Sequence, residues 1–384
     1  MKRKVAVVIT ARPSYSRIKT ALRAISDHPD LELQLIVAAS ALLDRYGSAV
    51  KVMKEDGFEI AARVYMVLEG ENLATMAKTT GLGLIEIATA LDNLRPDAVV
   101  TIADRYETMA TAVAASYMNI PLIHVQGGEV TGSIDEKVRH AITKLSNLHL
   151  VSTEKAAERV VRMGEDPANV CITGCPSIDL AAEILPDPSL SFDPLTKYGG
   201  VGAWVDLSQG YLVVLQHPVT TEYGAARDHI AETLYAVREI GLPALWFWPN
   251  VDAGSDGTSE GIRAFREVER PKNIHFFKNM MPADFLRLLY NSRGIVGNSS
   301  VAIRECSFLG IPAVNIGSRQ AGRERGRNVL DVDYKRHDII AAIRHHLSNG
   351  HVPSEPIYGD GRAGQRIAHL LATQPLSIEK RLTY

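Results

Sequence analysis

Three cysteines in 384 residues leave no room for a disulfide framework. Cys171 and Cys175 stand in a C-x3-C spacing with Cys306 far away, which is not a paired C-x2-C zinc pattern, so they read as free thiols in a reducing compartment. Charge of one sign is also missing: 42 basic and 44 acidic residues sum to −2. That balance, without a basic stripe interleaved with aromatics, argues against a nucleic acid partner or an acidic membrane surface. No apolar run approaches the roughly 18 to 20 residues of a membrane span. The basic cluster Lys2–Lys4 before Val5–Thr10 imitates the start of a secretory signal, but Arg12 and Pro13 end it too early and no small-residue cleavage site follows. The expected location is the cytoplasm. There are no solenoid-length repeats and no low-complexity tracts, and the turn after the first apolar run carries neither a G-x-G-x-x-G nor a Walker pattern.

What is present is ordinary globular composition, 46% apolar and 22% charged, in a chain long enough for two domains. Short runs rich in Val, Ile and Leu recur, each followed by a polar turn and an amphipathic stretch, the pattern of repeated βα units. Strands are expected at Lys4–Thr10, Leu33–Ala38, Ala98–Ile102, Leu122–Val125, Leu148–Val151 and Val170–Thr173. Helices are expected between them at Ser16–Ser26, Leu73–Asn93, Glu107–Met118 and Asp135–Leu145. The strands do not alternate with polar residues, so both sheet faces should be covered. The stretch from Pro186 to Gly210, rich in proline and glycine, breaks the rhythm. The pattern restarts with Tyr211–Leu215, Ala244–Trp248, Ile274–Phe277, Gly294–Val296 and Ala313–Ile316. The expected fold is therefore α/β, with two Rossmann-like doubly wound domains facing a central cleft. Residues 1–185 form the first and 186–363 the second, and a tail at 364–384 crosses back to the first.

In open α/β sheets ligands sit at the carboxyl ends of strands, which directs attention to the polar clusters there. Arg12 and Ser16 follow the first strand, where a helix start offers backbone N–H groups to an anion, or where Ser14 or Ser16 simply caps the helix. Asp104 and Arg105, with Glu107 nearby, follow Ala98–Ile102, and an aspartate beside an arginine stays ionised, in catalysis or in a structural pair. In His124-Val-Gln-Gly-Gly-Glu-Val-Thr-Gly-Ser-Ile-Asp135 a strand runs into two glycines, with Glu129 and Asp135 placed for acid/base work. His217 and Asn250 occupy strand exits in the second half. Gly297-Asn-Ser-Ser300 follows a strand and opens a helix carrying Arg304 and Glu305, where hydroxyls and N–H groups suit a diphosphate and a carboxylate suits ribose hydroxyls. Gly317–Arg327, containing Arg319, is a basic, glycine-punctuated loop that closes over phosphates or remains a charged surface loop.

These segments together resemble the hydrolysing UDP-N-acetylglucosamine 2-epimerases of sialic and legionaminic acid synthesis, from about Val5 to Gly361. Further markers are Arg139-His140-Ala-Ile-Thr-Lys144, Gly174-Cys-Pro-Ser177, Gln216-His-Pro-Val-Thr220, Pro249–Gly254, Arg319-Gln320 and Tyr358-Gly-Asp-Gly361. The resemblance implies the two-domain, GT-B-like fold of many nucleotide-sugar glycosyltransferases. It implies a homodimer or homotetramer with no metal or organic cofactor. It assigns Arg12, Ser16, Asn250, Ser299, Ser300, Glu305 and Arg319 to UDP, and places Asp104, Glu129, Asp135 and His217 around the sugar with Arg105 beside them. The chemistry it implies is anti elimination of the nucleotide across C1–C2 to a 2-acetamidoglucal, then addition of water.

Two positions depart from the family pattern. Gln126 stands where many relatives carry an acidic residue or a histidine, and a glutamine is no useful base. Ala103 stands where glycine often precedes Asp-Arg. Such departures bear on the substrate, which in place of UDP-N-acetylglucosamine could be a UDP- or GDP-linked 2,4-diacetamido-trideoxyhexose. A non-hydrolysing epimerase and a nucleotide-sugar sensor without turnover are the competing readings. The set Asp104, Glu129, Asp135 and His217 speaks against the sensor.

Overall fold

The computed structural model describes residues 1–44, 48–69, 73–131, 135–219, 221–249 and 255–383. The chain divides into two compact units, Met1–Glu129 with Ile134–Asp179 and Tyr358–Tyr384, and Val130–Ser133 with Leu180–Ile357.

The first unit contains β1 (Arg3–Ile9), α1 (Arg12–Asp27), β2 (Leu31–Ala38), α2 (Ala49–Glu55), β3 (Ile60–Val64), α3 (Leu73–Leu94), β4 (Ala98–Ile102), α4 (Thr108–Tyr117), β5 (Leu122–Val125), α5 (Asp135–Leu145), β6 (Leu148–Val151), α6 (Glu154–Arg162) and β7 (Val170–Ile172). Helix α7 (Pro176–Ile184) spans the division between the units. The strands form one parallel sheet in the order β3-β2-β1-β4-β5-β6-β7. Both faces are covered, as the continuous apolar runs require: Val5, Val7 and Ile9 pack with Ile18, Leu22 and Ile25 of α1, while Ala6 and Val8 pack with Ile87 and Leu91 of α3.

The second unit contains α8 (Pro194–Tyr198), β8 (Val201–Gly202), β9 (Leu212–Leu215), α9 (Ala226–Ile240), β10 (Ala244–Phe247), α10 (Ser255–Glu269), β11 (Ile274–Phe277), α11 (Pro282–Tyr290), β12 (Gly294–Gly297), α12 (Glu305–Leu309), β13 (Ala313–Ile316), β14 (Val329–Val332) and α13 (Arg336–Asn349). Its sheet runs β14-β13-β12-β9-β10-β11-β8, parallel except for the antiparallel edge strand β8. The segment from Pro186 to Gly210 is thus part of this unit: Asp193 caps α8 by accepting from the Leu195 amide, and the Lys197 ammonium pairs with Asp284 at 2.6 Å.

The last helix, α14 (Ala363–Thr373), packs on α1 within the first unit. A Cβ on Gly364 would lie 2.7 Å from the Thr20 backbone, so only glycine lets the two helices approach this closely. Asp179 braces the junction, accepting from the Ala363 and Gly364 amides at 2.9 and 2.7 Å and from the Thr20 hydroxyl at 2.9 Å.

In each sheet the order of connection reverses once, between β1 and β4 in the first and between β9 and β12 in the second. Those reversals open the crevices in which α/β sheets bind ligands. Arg12 and Asp104 flank the first; His217 and the Asn298–Ser300 segment flank the second.

Candidate active site

In the first unit, β4 and β5 each leave the sheet through a left-handed residue that is not glycine, Ala103 at φ 62° and Gln126 at φ 67°. Each still donates its amide to the neighbouring strand, to Val125 and Leu150 respectively, both at 2.9 Å. The chain therefore turns sharply at one residue and delivers Asp104 and the Gly127-Gly128-Glu129 segment at the strand exits. An L-residue in this region costs about 1 kcal/mol, so something must hold it. For Ala103 that holder is His124, fully buried in β5, whose Nε2–H donates to the Ala103 carbonyl at 2.8 Å while Nδ1 accepts from the Thr143 hydroxyl at 3.1 Å. Burial holds the imidazole at about 3, against the pull of the Ala103 carbonyl, so it is neutral and spends both nitrogens on structure. The two glycines are dictated by crowding: a Cβ on Gly127 would sit 2.9 Å from His124 Nδ1, and one on Gly128 (φ 72°) 2.2 Å from the Ala156 carbonyl.

The carboxylates gather around Arg139, one turn into α5 and 1% exposed. Its Nη2 donates to the Asp104 carboxylate, and its Nη1 to the Glu129 carbonyl at 2.7 Å and to Glu136 Oε2 at 3.0 Å. Burial alone would lower the guanidinium, but Asp104 and Glu129 more than offset it and raise its pKa. One buried cation thus fixes the carboxylate of Asp104 and the backbone of Glu129 together. Ser152, at the exit of β6, donates to Glu129 Oε1 at 3.1 Å. Asp104 and Glu129 are themselves buried, 7% and 4% exposed. Asp135 is the first residue of α5, half-buried, where the helix N-terminus favours a negative charge.

Arg105 forks onto Glu107 at 3.1 and 3.2 Å, and Arg139 pairs with Asp104. Gln126 donates from Nε2 to the Cys175 thiol at 2.8 Å, while its Oε1 is buried with no hydrogen-bond partner among the described residues.

Arg12 opens α1 after β1, and Ala11 at its N-cap offers no side-chain oxygen to the first-turn amides. Ser16 does not cap: it lies inside the helix and donates back to the Arg12 carbonyl at 3.3 Å.

In the second unit the strand exits are tied by amides. Asn298, fully buried after β12, accepts from the His217 amide at 2.7 Å and donates to the His217 carbonyl at 2.9 Å. A side chain here completes the ladder between β9 and β12. Its own carbonyl accepts from Arg319 Nη1 at 3.2 Å and Gln320 Nε2 at 2.8 Å, which joins the loop after β13 to the same point. Ser299 caps a 3-10 turn, Ser300–Ala302, by accepting from the Val301 amide. The expected single helix carrying Arg304 and Glu305 is in fact this turn followed by α12, with Arg304 at its N-cap and Glu305 as its first residue. Glu305 Oε2 is buried without a hydrogen-bond partner among the described residues. Asn250 lies outside the described residues.

Asp104, Glu129 and His217 thus lie at strand exits, where the sequence placed them, while the sequence assigned no holding role to Arg139, His124 and Asn298. The only hint was a fully charged residue at a core position of α5, one turn after Asp135.

The family model described as UDP-N-acetylglucosamine 2-epimerase matches residues 23–372. The hydrolysing UDP-N,N'-diacetylbacillosamine 2-epimerase of Legionella pneumophila is 32% identical over 376 residues, 98% of this chain and 97% of that protein. The UDP-N-acetylglucosamine 2-epimerase of Neisseria meningitidis serogroup B is 30% identical over 388 residues, 99% of this chain and 98% of that one. Among solved structures, a Neisseria meningitidis UDP-GlcNAc 2-epimerase bound to UDP-GlcNAc has the same fold, with a TM-score of 0.80 at 17% identity, over 96% of this chain and 99% of that one. The chain belongs to the UDP-N-acetylglucosamine 2-epimerase family of nucleotide-sugar 2-epimerases, with a GT-B-like α/β fold.

Proposed function

We propose that this chain is a hydrolysing epimerase converting UDP-N-acetylglucosamine and water to N-acetylmannosamine and UDP. The observation that carries the reading is the pair of buried acidic residues at adjacent strand exits, Asp104 held by Arg139 through its carboxylate and Glu129 through its carbonyl. A carboxylate takes the C2 proton, the C1=C2 bond forms and the C1–O bond breaks with its electrons leaving on the diphosphate. Water then adds hydroxide to C1 and a proton to C2 from the opposite face. Asp104, Glu129 and Asp135 are the proton-handling groups, with Arg105 beside them; Gln126 is excluded as a base because an amide does not accept a proton usefully. Positioned acid/base groups of this kind contribute typically about 10²- to 10⁴-fold each.

Ser299, Ser300 and Arg319 suit the diphosphate, with Arg12, Ser16 and Asn250 assigned to the nucleotide by family pattern. The bare Glu305 oxygen suits a ribose hydroxyl, and His217 stabilises the charge developing on the leaving group. Supporting the hydrolysing subtype is the Legionella relative, which is described as hydrolysing.

The same relative favours a second reading of the substrate, a nucleotide-linked 2,4-diacetamido-trideoxyhexose. Mass spectrometry of products formed from UDP- and GDP-linked 2-acetamido sugars in heavy-oxygen water tests both. The expected product is a free 2-epimerised sugar labelled at the C1 hydroxyl; an intact epimerised nucleotide-sugar would overturn the hydrolysing assignment, and UDP binding with no product would favour a sensor.

A further inference from the structure

At the exit of β6 two hydroxyl residues stand side by side, Ser152 and Thr153. Either type suits the cap of α6, and the task falls to Thr153, whose side chain accepts from the Ala156 amide at 3.1 Å. The Ser152 hydroxyl, buried beside it, is left to donate to Glu129 Oε1 at 3.1 Å. The backbone on which Glu129 stands is already gripped: Arg139 Nη1 donates to the Glu129 carbonyl at 2.7 Å, and Arg159 Nη1, from α6, to the Gly128 carbonyl at 3.2 Å. What remains is rotation of the side chain itself, and glutamate is among the residues with most rotamer freedom to lose. The serine acts on that remaining freedom.

Ser152 is itself firmly placed. β6 lies between β5 and β7, with the Gln126 amide donating to the Leu150 carbonyl and the Thr173 amide to the Val151 carbonyl, both at 2.9 Å. In the same strand the buried His149 donates from Nε2 to Glu165 Oε2 at 2.9 Å, and Glu165 Oε1 accepts from Lys144 of α5 at 2.5 Å. Lys380, near the chain end, donates to the same carboxylate. Glu165 thus ties β6 to α5, the helix that carries Arg139, so the serine and the arginine that hold Glu129 come from elements joined to each other. Charged groups gather here from three elements: Arg139 and Glu136 from α5, Arg159 from α6, and Asp104 from the exit of β4. All of them stay in place when only the Ser152 hydroxyl is removed. A hydroxyl donated to a carboxylate favours its ionised form and a single orientation.

Resting on the reading of Glu129 as a proton-handling group, we propose that Ser152 is the positioning residue for its carboxylate, holding it ionised and in one rotamer. The test is a double-mutant cycle of Ser152→Ala and Glu129→Gln in the full chain, with the nucleotide-sugar that the substrate panel shows to be turned over, and with circular dichroism and UDP calorimetry to verify folding and binding. Ser152→Ala is expected to bind UDP as the wild type does and to lose about tenfold in kcat, the effect of one hydrogen bond to a charged group. The acidic limb of its kcat/KM profile is expected to move up by about one pH unit, because a carboxylate that has lost a donor ionises less readily. In the Glu129→Gln background the same substitution is expected to change the residual rate by no more than about twofold, since no carboxylate is left to hold. A Ser152→Ala enzyme with wild-type kcat and an unmoved limb, or one whose loss is as large in the Glu129→Gln background, would overturn the proposal and leave the role of Glu129 standing. Near wild-type turnover by Glu129→Gln would overturn that role and the proposal together.

Discussion

The two units bring different materials to the same place in their sheets. At the reversal of the first sheet, rigidity comes from buried charge: Arg139 is surrounded by Asp104, Glu136 and the Glu129 carbonyl. At the reversal of the second it comes from neutral amides, with Asn298 bridging His217 and gathering Arg319 and Gln320 onto one carbonyl. A charged holder sets the ionisation of what it holds, whereas an amide holder fixes position and leaves nearby charge for a ligand. The first arrangement suits groups that exchange protons and the second suits groups that bind an anion.

The sharpest break of this contrast is at the carboxylates. Glu129→Gln is expected to fold and to bind UDP with near wild-type affinity in calorimetry, while turnover falls by about 10²- to 10⁴-fold. His217→Ala is expected to behave in the same direction, and near-normal rates in both would end the catalytic reading. The next effect is on stability. Arg139→Leu leaves Asp104 buried without its guanidinium partner, and a loss on the order of 3–5 kcal/mol is expected in denaturant unfolding. Arg139→Lys keeps the charge but loses the fork that reaches Asp104 and the Glu129 carbonyl at once, so it should recover only part. Its melting point is expected to fall between those of Arg139→Leu and wild type. The smallest effect is at Ala103, whose left-handed backbone suits glycine better. Ala103→Gly is expected to change unfolding free energy by no more than about 1 kcal/mol with little change in rate, because the His124 clamp grips the carbonyl and not the side chain.

How far the sequence could foretell this depends on how local each feature is. Central strands such as β4, β5, β6, β11 and β13 read out at their observed bounds, because strands buried on both faces are written as unbroken apolar runs. Among the edge strands, β7 was legible at Val170–Thr173, whereas β3, β8 and β14 left no such mark. β3 alternates half-buried and exposed residues up to a buried Val64, β8 is two residues long, and β14 is only half-buried. In the candidate site, residues directly after strands were legible and their holders were not. Asp104 and Arg139 are brought together only when α5 packs against α4 and β5, and nothing local in either segment records it. The neighbour that the sequence did record, Arg105, bonds Glu107.

The brace at Asp179 has a consequence for how the chain is made. The first unit is assembled from three separate stretches of sequence, and the helix that covers α1 is synthesised only after the whole second unit. At about 5–20 residues per second, the first sheet waits roughly 10 to 35 s for that cover. Until α14 arrives, the apolar contacts that Ile367 and Leu371 make with the first core are missing, and the Asp179 carboxylate lacks the two amides it caps. The nascent first unit therefore exposes this part of its core until α14 follows the second unit in synthesis.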